Sequence, residues 1–99
     1  MSGDELSRDQ QAQWEHELRS ARAELAESQV EASAGDGSVR IVMSGTQECL
    51  KVFVAPSLLT SQDPELLGQL IRLAINQAIQ DSQLMAARRL SPLSGALDR

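Results

Sequence analysis

The chain has 99 residues, room for one domain with a thin core. Trp14 and Phe53 supply its whole Phe, Trp and Tyr content, so aliphatic side chains and alanine must do most of the burying. A formal charge of −5 is the wrong sign for a generic nucleic-acid binder, no apolar run approaches the ~20 residues of a membrane span, and a single cysteine excludes an internal disulfide.

The charge is unevenly placed. Residues 1–36 hold nine acids against Arg8, Arg19 and Arg22, a net of −6, whereas residues 37–99 hold five acids against six bases, a net of +1. The opening MSGDELSRDQ is acidic and polar, unlike a signal peptide, and makes the cytoplasm the expected location. Residues 4 to about 29 lack Pro and Gly and are rich in Ala, Glu, Gln, Leu and Arg, which predicts a long helix. Trp14, Leu18, Ala21 and Leu25 give it a narrow coiled-coil-like seam. Such a helix is too long to lie wholly on a domain this small, so its acidic start, residues 1–13, is expected to project or to pack on a partner.

The period then changes to two. Val30, Ala32 and Ala34 alternate with polar residues until Gly35-Asp36-Gly37. Val39, Ile41 and Met43 alternate up to Gly45, and Leu50, Val52 and Val54 up to Pro56. Three short strands with tight connections predict an antiparallel meander. Its second face is half apolar, because Val42 and Phe53 sit beside Arg40 and Lys51.

Pro56 ends the ladder by removing a donor, and Leu58 and Leu59 are expected to fold back as an apolar plug between sheet and helix. Asp63 then suits an N-cap and Pro64 the first helical position. The helix is expected to reach about Leu90, where Ser91-Pro92 stops it, leaving residues 91–99 as a flexible tail. Its apolar residues, from Leu66 and Leu67 to Ala78 and Ile79, spread over roughly 240° of a helical wheel, against ~100° for an ordinary surface helix. One small sheet cannot cover that arc. A second copy of the chain is the expected cover, with Leu70, Leu73 and Ile79 from the helix and Val42 and Phe53 from the sheet at the dimer interface.

The order helix, meander, VAPSLL, long helix resembles the YbaB/EbfC family of bacterial nucleoid-associated proteins. The resemblance rests on VEASAGDGSVRIVMSG (30–45), CLKVFVAPSLL (49–59) and AINQA (74–78), and covers about residues 14–88. It implies an α+β homodimer with helices projecting from a joined sheet core like tweezer arms, DNA binding with little sequence preference, and a place on the nucleoid. Residues 14–90 form the family-like domain. Many members have lysine-rich ends, whereas this chain has a single lysine, Lys51, and an acidic first helix.

Arg88-Arg89 is the densest basic spot and the leading candidate for phosphate contact, level with a reading in which both merely complement a helix C-terminus. Arg19 and Arg22 share a helix face and would assist, although pairing along the helix with Glu15 and other acids is the stronger reading for them. Arg40 and Lys51 can simply pair with Glu31, and Asn76 suits a structural hydrogen bond at a close helix contact. His16 lies between Glu15 and Glu17 on a polar helix, and with one His and one Cys in the chain no ordinary zinc site can be assembled within a protomer. Cys49 fits a redox thiol or a small buried hydrophobe equally well. With no base beside any serine and no conspicuous carboxylate pair, no enzyme, cofactor or metal is expected. Weak, salt-sensitive duplex-DNA binding is therefore the leading function, with a protein-interaction dimer on the same fold as the alternative.

Overall fold

The computed structural model describes residues 8–97. The elements are α1 (Arg8–Glu27), β1 (Gln29–Ala34), β2 (Val39–Ser44), β3 (Cys49–Val54), α2 (Pro56–Thr60) and α3 (Pro64–Leu97). The strands form one antiparallel sheet in the order β1-β2-β3. This is the α+β arrangement the sequence predicts. The first half of the expected acidic helix start, residues 1–7, lies outside the described residues.

On α1, Leu25 is buried and Trp14, Leu18 and Ala21 are half-buried, so the predicted seam exists. The helix packs on α3. Its end is fixed by the Gly45 N–H, which donates to the carbonyls of Leu25 (2.9 Å) and Ser28 (3.1 Å). A Cβ at Gly45 would stand 2.7 Å from the Leu25 carbonyl oxygen and 2.8 Å from its side chain, so only glycine allows this approach. The β1–β2 connection is a type I′ turn with Asp36 (φ 56°) and Gly37 (φ 85°) at its centre, closed by the Ser38 N–H donating to Gly35 O at 3.1 Å. A hairpin turn, not a phosphate loop, is therefore what Gly35-Asp36-Gly37 makes.

The core lies between the sheet and α3. Val39, Ile41 and Met43 of β2, Ala32 of β1, Leu58, and Ala74 and Ala78 of α3 are buried together. The two alanines and Ser82 recur every fourth residue and are fully buried, so a stripe of small side chains lets the helix approach the sheet closely. Ser82 Oγ donates to the Ser44 carbonyl at 2.7 Å, tying the middle of α3 to the end of β2. Asn76, expected to make a structural hydrogen bond at a close helix contact, is instead exposed, and its side chain makes none among the described residues.

Two expectations about the elements need correction. Leu58 is buried, but Leu59 is 60% exposed. Residues 56–60 form a helical turn, and successive side chains on a turn point about 100° apart, so only one leucine can face the core. The stop at Ser91-Pro92 does not occur, because α3 continues to Leu97. A proline removes one backbone bond at a cost of about 3 kcal/mol, and the good helix formers around it (Ala86, Ala87, Leu90, Leu93 and Ala96) favour continuation. The long helix α3 covers β1 and β2 but leaves β3 aside. Leu50 (43%), Val52 (53%) and Phe53 (41%) are all exposed in the protomer.

The asymmetry of helix over sheet gives the molecule its shape. It measures 69 × 20 × 16 Å, with a radius of gyration of 19.4 Å against about 13 Å for a compact domain of this length. A 34-residue helix is about 51 Å long, so α3 outruns the ~20 Å strands and forms an arm.

Candidate nucleic-acid interface

Arg88 and Arg89 stand on the arm, beyond the Ser82 anchor. Because α3 runs on to Leu97, they lie about two turns from its end. The macrodipole acts within the last turn, so helix-end complementation does not account for them. Both are exposed. A cleft of about 570 Å³ separates this part of α3 from β1. Val30, Leu84 and Met85 supply its apolar lining, and Glu31, Asp81, Arg88 and Arg89 its charges.

Arg89 is not free. Its guanidinium reaches Glu24 Oε2 on α1 at 3.5 Å, with both side chains about half in solvent. This is the one ion pair within 4.0 Å among the described residues. Asp81 Oδ1 accepts a bond from Gln77 Nε2 at 2.9 Å. Among the described residues Arg88 has no carboxylate within ion-pair distance, and its exposed guanidinium is open to a phosphate.

Arg19 and Arg22 are exposed on α1, and their expected pairing with Glu15 is absent among the described residues. At about 100° per residue they lie about 140° and 160° around the helix from Glu24. Since Glu24 reaches α3, the α1 arginines point away from Arg88 and Arg89. The four candidate arginines thus form two separate spots on the protomer.

The sheet's second face is a third polar surface. Across the strands, Glu31, Val42 and Lys51 form one row and Ser33, Arg40 and Phe53 the next. Arg40 stacks over the Phe53 ring at 4.5 Å to the centroid and donates from Nε to Gly37 O at 3.2 Å. It is therefore engaged with the aromatic ring and the turn, not with Glu31. Glu31, Arg40, Val42, Lys51 and Phe53 line a shallow concavity of about 310 Å³ on this face.

Cys49 is exposed on the outer strand, its Sγ 3.9 Å from Lys51 O, so the buried reading does not hold in the protomer. His16 is exposed, and among the described residues no group of three His, Cys, Asp or Glu side chains could hold a metal ion. Among the described residues no helix is long and apolar enough to cross a membrane.

Sequence reasoning missed Glu24, which holds Arg89, and Ser82, which anchors the arm. The signal for Glu24 was its place beside the Ala21-Leu25 seam, a flank where charged residues meet a partner helix. Ser82 continues the four-residue rhythm of Ala74 and Ala78, which marks the buried stripe.

Comparison with known proteins agrees with the architecture. The chain is 33% identical over 85 residues to a nucleoid-associated protein of Chloroflexus aurantiacus, covering 86% of this chain and 85% of that one. It is 43% identical over 75 residues to a nucleoid-associated protein of Syntrophobacter fumaroxidans, covering 76% and 68%. The crystal structure of the uncharacterized protein HP0035 from Helicobacter pylori superposes with a TM-score of 0.66 at 18% identity, over 75% of this chain and 86% of that one, and so shares the fold. Residues 5–97 match the YbaB/EbfC DNA-binding family, to which this chain belongs.

Proposed function

We propose that this protein is a nucleoid-associated protein of the bacterial cytoplasm that binds duplex DNA, as a homodimer, through phosphate contacts and with little sequence preference. The observation that carries the reading is Arg88-Arg89 on a projecting helical arm, in a chain of a DNA-binding family. Arg19 and Arg22 assist from the second basic spot. The reading needs no catalytic step, cofactor or metal.

The dimer is proposed from uncovered apolar surface. Val42 and Phe53 on the second sheet face, Leu50 and Val52 on β3, and Leu70, Leu73 and Ile79 on α3 are exposed or half-buried. An open apolar edge strand invites pairing.

With Arg88 and Arg89 of both copies each on a phosphate, roughly four contacts per dimer, log K should fall with log salt at a slope of about −3 to −4. Fluorescence anisotropy with two unrelated duplexes across a salt series tests this. Equal affinities, lost together as salt rises, are expected. Strong discrimination between the duplexes would overturn it, because phosphate contacts carry no direct sequence information. No binding to either at about 50 mM salt, a permissive condition, would favour the second reading, a protein-interaction dimer. The net charge of −5 and the apolar lining of the arm cleft are what favour that alternative.

A further inference from the structure

We infer that Glu24 is an internal competitor for phosphate, an autoinhibitory contact that holds down the DNA affinity of Arg89; this rests on the DNA-binding reading above. Arg89 reaches Glu24 across α1 and α3 at 3.5 Å, in a position open enough for exchange, since 45% of the arginine side chain and 67% of the glutamate are in solvent. Around the same cleft stand two further carboxylates, Glu31 and Asp81. Three acids and two guanidiniums thus stand in one region, a local charge of −1, although only Arg89 and Glu24 are within ion-pair distance among the described residues. A phosphate that takes Arg89 must first displace the Glu24 carboxylate, which meets the guanidinium through one oxygen at 3.5 Å. Among the described residues no acid holds Arg88 in this way.

The competition leaves a mark on salt dependence. When Arg89 moves to a phosphate, DNA releases a counterion, but the abandoned Glu24 takes up a cation from solution. The net release is then smaller than the ~0.9 that a freely engaged contact adds, so the slope is partly flattened for each Arg89 engaged. Removing the carboxylate restores it. The affinity gain is bounded by the worth of an exposed ion pair, up to about five-fold per protomer.

The test is a double-mutant cycle on duplex binding, read by anisotropy from about 50 mM salt upwards. Glu24→Gln keeps the side chain's size and should leave the thermal midpoint and sedimentation of the protein unchanged. It should tighten binding two- to five-fold per engaged protomer and steepen the salt slope. Arg89→Ala should weaken binding and flatten the slope, and Glu24→Gln added to Arg89→Ala should change neither further. An unchanged affinity and slope in Glu24→Gln, beside a weakened Arg89→Ala, would overturn the competition while leaving DNA binding intact. A gain from Glu24→Gln that persists in the Arg89→Ala background would overturn it too, because the effect would then be one of net charge. Absence of duplex binding by the wild type and by Glu24→Gln alike would remove the DNA reading and this inference with it.

Discussion

Strands β2 and β3 carry the same alternation of apolar residues, pair with each other, and end up in opposite environments. Val39 and Ile41 are fully buried, whereas Val52, the cross-strand partner of Ile41, is 53% exposed. Nothing in the strands themselves explains the contrast. It arises because α3, brought close by Ala74 and Ala78, lies over β1 and β2 and stops short of β3. An apolar side chain contributes stability only where something covers it, at about 25 cal/mol per Å² removed from water. The half of the sheet under α3 therefore holds the fold, and the other half is the surface the proposed dimer would close.

This contrast can be broken at its strongest point by Ile41→Ala, which should cost about 2–5 kcal/mol in a denaturant melt. Gly45→Ala should follow, at roughly 1–3 kcal/mol, since its methyl must push back the end of α1. Ser82→Ala should cost about 1 kcal/mol, a single hydrogen bond, because the Ser44 carbonyl keeps the Gln47 N–H at 3.0 Å. Val52→Ala and Leu59→Ala should sharpen the contrast by doing little. Each should shift the melt of the dilute protomer by less than about 0.5 kcal/mol. At concentrations where the dimer forms, Val52→Glu should shift sedimentation toward a single chain while the protomer's far-UV spectrum stays the same. If Val52→Ala instead cost as much as Ile41→Ala in the dilute protomer, β3 would belong to the core after all.

What was legible beforehand follows the reach of each interaction. The meander, the Asp36-Gly37 turn and the start of α3 are set within a few residues. The Asp63 carboxylate does accept the Leu66 N–H at 3.1 Å, as a cap should. Choosing between Leu58 and Leu59 required the phase of a helical turn that a strand–proline boundary does not announce. The Pro92 stop failed because a local penalty was weighed without the helix-forming residues on both sides. The candidate arginines can be read from the sequence as basic spots, but Arg89 meets an acid 65 positions away in the chain, and no local pattern encodes that.

The hydrogen bond between Ser82 and Ser44 has a mechanical meaning as well. Beyond it α3 behaves as a lever, with the sheet edge as its fulcrum. Some 15 residues, about 22 Å of helix, extend past that point, so a tilt of about 10° at the fulcrum would swing the tip by about 4 Å. Arg88 and Arg89 sit a third to a half of the way along that length, where the same tilt moves them about half as far. The aim of the basic spot is thus set by a buried serine that never touches it.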